Sequence, residues 1–160
     1  MPSKVRRRTV LLLPVFALLA LEWLRPVAAS QLPLRLLVIV HPGVKEKSLD
    51  VDELRAVFLR KRLQWSGGPH IVPINQPPGS VARNAFDAVI LGFTPQQVAR
   101  YWIDARIRSG TLPPQSVPGE ATVVQVVRAL PGAIAYVSAD QATHGVRVLA
   151  RIEGGQVRAP

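Results

Sequence analysis

The feature that most constrains the fold of this chain is an almost continuous apolar run at residues 34–40, ended by His41-Pro42-Gly43. Its last residues are β-branched, and polar and apolar positions do not alternate along it. This pattern predicts a strand that is buried on both faces of a sheet. Such strands occur where helices cover the sheet, which favours a layered α/β domain.

Helical and strand patterns alternate through the rest of the chain. Asp50 and Glu53 form a capping-box-like helix start. Residues 120–130 are ambiguous, because their valines favour a strand while their length and spacing favour a helix. Helices are expected at about residues 51–62, between Ser80 and Gly92, between Thr94 and Gly110, and at residues 120–130. Strands are expected at residues 34–40, 71–74, 133–137 and 146–152, with a loose tail from Gly154. The alternation predicts one domain with a mainly parallel or mixed sheet.

The first 29 residues have the pattern of a secretory signal. A basic start that includes Arg6, Arg7 and Arg8 precedes an apolar run at residues 10–21, and Val27-Ala28-Ala29 ends the segment. Small residues at these positions fit a signal-peptidase site before Ser30. The run is shorter than the roughly 20 residues of a transmembrane helix. We therefore expect cleavage, an α/β domain at residues 30–160, no stable membrane span and a periplasmic or secreted location; the alternative is an uncleaved anchor.

The charge and composition of residues 30–160 limit the classes of partner that this part of the chain is expected to bind. The signal holds five of the 20 basic residues and one of the 10 acidic residues, so residues 30–160 have a net charge of +6. That balance favours anionic partners without choosing among them. Aromatic residues are too scattered for base stacking, so no nucleic acid partner is expected. With no cysteine, the domain must be stabilised by packing alone.

Four segments resemble phosphate ABC-transporter periplasmic solute-binding proteins. Residues 54–65, Leu-Arg-Ala-Val-Phe-Leu-Arg-Lys-Arg-Leu-Gln-Trp, are similar to the "(I/V)FLGK…W" segment of that family. A strand and then Gly79-Ser80 follow in the family's order, Tyr101-Trp102 matches the middle helix, and residues 130–137 are similar to "PGAIGYV". The resemblance covers residues 34 to about 140. It implies a single lobe of a type II periplasmic-binding-protein-like fold, with a mixed sheet flanked by helices.

The chain departs from the family pattern in three respects. Arg60 replaces the usual glycine before lysine, and the loop that reads Pro77-Pro78-Gly79-Ser80-Val81 is shorter than the family's Gly-Ser-Gly-Thr anion loop. Two-lobed receptors of this class clamp the ligand between lobes, whereas this chain is about half their size. The resemblance therefore implies a short, single-lobe member.

The candidate anion site lies at the start of the helix after the Pro-Pro loop. It comprises Gly79, Ser80, Val81, Ala82 and Arg83. Free amides at a helix start and one arginine can bind phosphate or a carboxylate. The alternative is that Ser80 only caps its own helix while Arg83 is a solvated surface residue. Three or four such contacts on an open face predict micromolar to millimolar affinity at best.

Other candidate features favour structural interpretations. The basic cluster Arg55, Arg60, Lys61 and Arg62 is expected to complement a helix dipole, or else to bind an acidic partner. Trp65 and Trp102 are expected to pack in the core. The three histidines, His41, His70 and His144, lack metal-ligand spacing, and no catalytic arrangement stands out. We therefore expect no metal, no cofactor and no enzymatic activity.

Two functions remain open at this point. The first is an exported solute-binding domain for phosphate or another small anion. The alternative is a periplasmic accessory or scaffold protein that recognises a protein or envelope partner and binds no solute. High-affinity solute binding would require a second lobe, from a homodimer partner or from another protein such as an envelope protein. An enzyme on the same fold is a third, weaker hypothesis.

Overall fold

The strand predicted from the apolar run lies in the middle of the sheet in the computed structural model, which describes residues 34–160. Strand β1, Leu36–Val40, has all five residues buried. It pairs with a strand on each side, so both of its edges and both of its faces are enclosed. The predicted signal at residues 1–29 lies outside the described residues.

Six strands form one mixed sheet in the order β3-β2-β4-β1-β5-β6. The further strands are β2 Val72–Asn75, β3 Gln115–Ser116, β4 Ala133–Ser138, β5 Arg147–Glu153 and β6 Gln156–Arg158. β1 runs antiparallel to β4 and β5, whereas β2 is parallel to β3 and β4. The predicted mixed α/β sheet is confirmed.

Helices cover both faces of the sheet. The helices are α1 Val51–Phe58, α2 Val81–Phe86, continued by a π-helical turn Asp87–Leu91, α3 Pro95–Ser109 and α4 Glu120–Ala129. Leu36, Val38 and Val40 face the core shared with α1, α2 and α3. Leu37 and Ile39 face the second core, which α4 closes. No helix within residues 34–160 is long and apolar enough to cross a membrane.

The caps of α3 and the helical assignment of α4 are confirmed. Thr94 and Gln97 form a full capping box, and Gly110 ends α3 with φ of 67°. α4 buries Val123, Val124 and Val127 on one side, as the helical spacing predicts.

The predicted end of α1 at residue 62 is wrong, because the helix stops at Phe58. Arg60 has φ of 59°, the left-handed conformation that usually requires glycine. The Arg60 amide donates to the Val57 carbonyl at 3.0 Å, and the Lys61 amide donates to the Ala56 carbonyl at 2.8 Å. These two bonds form a Schellman motif, which satisfies the last carbonyls and turns the chain away.

Three smaller predictions also need correction. The tail after Gly154 is not loose: Gly154 and Gly155 form a turn, and β6 pairs with β5. β2 begins and ends one residue later than predicted, and the short strand β3 was not predicted at all. The helix after Ser80 reaches Gly92 as expected, but its last part is π-helical.

Candidate functional site

A cavity of about 210 Å³ lies between α2, the first turns of α3 and the segment before β3. Most of its wall is apolar. The apolar lining residues are Pro78, Pro95, Val98, Ala99, Trp102, Pro113 and Pro114. Gly79, Asn84 and Ser116 also line it, and two charged side chains, Arg83 and Asp87, complete the wall.

Arg83 is buried, with only 6% of its surface exposed. Its Nε donates to Asp87 Oδ2 at 2.6 Å, and its Nη1 donates to the Gln76 carbonyl at 3.0 Å. The pair arises from i,i+4 spacing along α2 and the π-helical turn, which places both side chains on one face. Within residues 34–160, Nη2 has no hydrogen-bond acceptor. The arginine therefore keeps one donor group that its protein neighbours leave unused.

Asp87, the ion-pair partner of Arg83, is buried to the same degree as Arg83. Asp87 is 4% exposed. Burial raises the pKa of its carboxyl, while the charge of Arg83 and the hydrogen bond from it act in the opposite direction. The ionised pair is neutral overall. Breaking it by removing one partner would leave an uncompensated buried charge, which costs about 3–5 kcal/mol.

A buried network holds the loop that supplies the Gln76 carbonyl. Gln76 Nε2 donates to the Tyr136 carbonyl at 3.1 Å and to Glu120 Oε1 at 3.0 Å. The Tyr136 hydroxyl donates to Asn75 Oδ1 at 3.1 Å, and its ring stacks on Phe86 at 3.9 Å between centroids. Burial raises the pKa of Tyr136, so its hydroxyl stays protonated. The network fixes the carboxyl end of β2 against β4 and thereby orients Arg83.

The structure brings only part of the predicted anion site to the cavity. Gly79 and Arg83 line it, whereas Ser80, Val81 and Ala82 do not. Ser80 Oγ accepts from the Arg83 amide at 3.3 Å, so Ser80 caps its own helix, as the alternative anticipated. The other half of that alternative does not hold, because Arg83 is buried and not solvated.

The amides at this helix start differ in their availability. The Ser80 amide donates to the Pro77 carbonyl at 3.2 Å and is therefore occupied. The amides of Val81 and Ala82 have no acceptor in the part of the chain that the structure describes. The Val81 residue is 73% exposed, and neither Val81 nor Ala82 lines the cavity.

Sequence reasoning missed Asp87 and Gln76, the two partners of Arg83. The opposite charges of Arg83 and Asp87 at i,i+4 were a usable signal for the ion pair. No local signal points to Gln76, because its carbonyl reaches Arg83 through the loop between β2 and α2.

The remaining candidate features are structural. Arg62 pairs with Glu46 and Glu53, and Arg55 pairs with Asp52, so the basic cluster is partly neutralised. Trp65 is buried, as predicted, and its Nε1 donates to the Gly132 carbonyl at 2.9 Å. Trp102 is also buried, but it additionally lines the cavity. Across residues 34–160, no three metal-ligating side chains lie together.

Comparison with known proteins identifies the fold. No protein-family description and no curated protein sequence matches the chain. Among solved structures, a phosphate ABC transporter substrate-binding protein from Clostridium perfringens with bound phosphate matches with a TM-score of 0.58 and 21% identity, over 72% of this chain and 45% of that one. An ABC-type phosphate transport receptor from Vibrio cholerae matches with a TM-score of 0.59 and 15% identity, over 72% and 46%.

A third solved structure agrees with these two. PstS from Borrelia burgdorferi matches with a TM-score of 0.57 and 19% identity, over 73% of this chain and 47% of that one. The resemblance predicted from the sequence is confirmed at the level of the fold. The chain therefore has the fold of a single lobe of phosphate-type substrate-binding proteins, and it spans less than half the length of each of these three neighbours.

Proposed function

We propose that this chain is an exported solute-binding domain that binds a small anion, such as phosphate, at the Arg83 cavity. The observation that carries the proposal is the guanidinium of Arg83, which is buried at the cavity wall with Nη2 unused. A guanidinium is well suited to oxyanions, because its N–H groups form charge-assisted bonds of fixed geometry. Gly79 belongs to the same wall.

The rest of the predicted site remains part of this proposal in a lesser role. Ser80 sets the start of α2 and so positions Arg83 one turn later. The amides of Val81 and Ala82 lie outside the cavity, where they can act only on an anion that reaches beyond its rim. The role is binding and not catalysis, and export follows from the signal-like residues 1–29.

The affinity should be weak. Asp87 already offsets the charge of Arg83, and one charge-assisted hydrogen bond contributes only about 1.5–3 kcal/mol. An anion must also lose water before it can enter, and one lobe offers few further donors. Since a dissociation constant of 1 mM already corresponds to about 4 kcal/mol, we expect millimolar affinity.

Titration calorimetry with phosphate and sulfate tests the proposal. The variant Arg83→Lys keeps a positive charge beside Asp87 but removes the guanidinium fork, so binding heat should disappear. Arg106→Lys, on the exposed face of α3, makes the same chemical change away from the cavity and should leave the heat unchanged. Absence of heat from the unmodified protein at millimolar ligand, or equal loss in both variants, would contradict an anion site at Arg83.

A further inference from the structure

We infer that the Arg83 cavity favours a small carboxylic acid with an apolar body over inorganic phosphate. This inference rests on the proposed function of the same cavity and specifies the chemical class of its ligand. Three features of the cavity support it: its walls, its charge and its volume.

The walls suit an apolar body better than a fully hydrated ion. Trp102 and Val98 from α3 line the cavity together with Pro113 and Pro114 from the segment before β3. Val98, Pro113 and Pro114 have no side-chain hydrogen-bonding group, and Trp102 offers only its indole N–H as a donor. Phosphate has oxygen atoms on every side, and each oxygen turned to such a wall would lose its water without a replacement. An acid with one charged end exposes only apolar surface to that wall.

The charge at the polar end of the cavity disfavours a dianion. Arg83 and Asp87 lie side by side, so a ligand oxygen that accepts from Nη2 also approaches the carboxylate of Asp87. Repulsion from that carboxylate grows with ligand charge, and phosphate at mildly alkaline pH carries about twice the charge of a carboxylate. A single carboxylate therefore gains the arginine contact with less repulsion.

The volume of the cavity sets the size of the ligand. An apolar cavity of about 150 Å³ is large enough to hold benzene. The cavity here, at about 210 Å³, has room for a ring of that size and a carboxylate. Benzoate is therefore a suitable probe, because it combines one flat apolar ring with one negative charge.

Fluorescence of Trp102 gives a direct readout of occupancy. Trp65 lies in the segment between α1 and β2, where it is buried with its Nε1 donating to the Gly132 carbonyl, and it contributes a constant background. The third tryptophan, Trp23, belongs to the predicted signal. We expect benzoate to change the emission saturably and to bind about tenfold more tightly than phosphate. Arg83→Lys should abolish the benzoate response.

Removing the negative charge from the cavity tests the electrostatic part. Asp87→Asn should raise phosphate affinity more than benzoate affinity, because phosphate carries the larger charge. Asp104→Asn removes the same charge from the exposed face of α3, where the side chain is 52% exposed, and should leave both affinities unchanged. Since Asp87→Asn disturbs a buried pair and can impair folding, Ala99→Phe provides a second variant. Ala99 lies at the rim on an exposed helical position, and a phenyl group there should block benzoate without unfolding the protein.

The outcomes separate this inference from the proposed function. Tighter binding of phosphate than of benzoate, with both lost in Arg83→Lys, would overturn the inference and leave the anion site standing. A benzoate response that survives both Arg83→Lys and Ala99→Phe would place binding elsewhere and overturn the inference. No response to either ligand would overturn both.

Discussion

Replacing Arg60 by glycine should stabilise this protein. Arg60 occupies the left-handed position that ends α1, with φ of 59°, at the point where the resembling family segment has glycine. A residue with a Cβ pays a steric cost in that conformation, whereas glycine does not. The family glycine is thus explained by helix termination. Arg60 does not line the Arg83 cavity.

Three contributions set the size of the effect. The left-handed conformation costs a non-glycine residue about 1–2 kcal/mol. The greater freedom of glycine in the unfolded chain offsets about 0.5–1 kcal/mol of that cost. In addition, Arg60 Nε is buried and has no hydrogen-bond partner among residues 34–160, a defect that glycine removes. The two conformational terms leave a gain of about 0.5–1 kcal/mol, and removal of the unpaired Nε adds about 1 kcal/mol. The sum is roughly 2 kcal/mol, or about 8 °C in Tm for a domain of this size.

Urea unfolding followed by circular dichroism measures the gain in the free energy of unfolding. The variant Arg60→Ala separates the contribution of the left-handed conformation from that of the unpaired Nε. Arg60→Ala removes the unpaired Nε but keeps the left-handed strain, so Arg60→Gly should exceed it by about 1 kcal/mol. At Arg106, inside α3, the order should reverse, with alanine more stable than glycine by about 1 kcal/mol. If alanine equals or exceeds glycine at position 60, the explanation of the α1 terminus is refuted.

Three further predictions concern the cap, a tight turn and the buried pair. Ser80→Ala should lower the free energy of unfolding, measured in urea, by about 1 kcal/mol because the cap of α2 is lost. Ligand binding at Arg83 should persist in this variant. An unchanged stability would contradict the capping role of Ser80. Gly132→Ala should lower the free energy of unfolding by at least about 2 kcal/mol, because a Cβ there would meet the His70 carbonyl oxygen. Gly154→Ala, with open space around the added Cβ, should lower it by only about 1 kcal/mol. Equal losses of stability in thermal unfolding would argue against the contact with His70. Burial raises the pKa of Asp87 above its ordinary value of 3.8, so the folded protein holds this proton more tightly than the unfolded chain does, and the stabilisation from the proton is complete below pH 3.8. That stabilisation is lost as pH rises through the pKa of Asp87 in the folded protein. The free energy of unfolding relative to Asp87→Asn should therefore fall with rising pH, and a rise would show that Arg83 lowers the pKa instead.

Local patterns predicted the parts of the fold that local forces determine. The apolar run at residues 34–40 predicted β1, because a strand without polar alternation must be covered on both faces. Thr94 and Gly110 predicted both ends of α3, because capping depends on neighbouring residues alone. The end of α1 was missed because an arginine occupies a position that normally shows glycine, so the usual stop signal was absent.

The candidate site was only partly predictable for a related reason. The loop at Gly79 and Ser80 was visible from its composition, and the structure places the Ser80 cap there. The cavity itself depends on α3 and on Pro113-Pro114, which approach α2 only after the chain has folded. The burial of Arg83 likewise depends on tertiary packing. A charged side chain near a helix start gives no sequence signal that it will face inward.

The most direct test of a ligand site at Arg83 is an NMR titration of the ¹⁵N-labelled protein with benzoate and with phosphate. An anion site at Arg83 predicts saturable shifts of the Arg83 Nε–H signal and of the amides of α2 and α3 that surround the cavity. Shifts confined to the exposed arginines Arg100, Arg106 and Arg108, or no saturable shift at all, would contradict it.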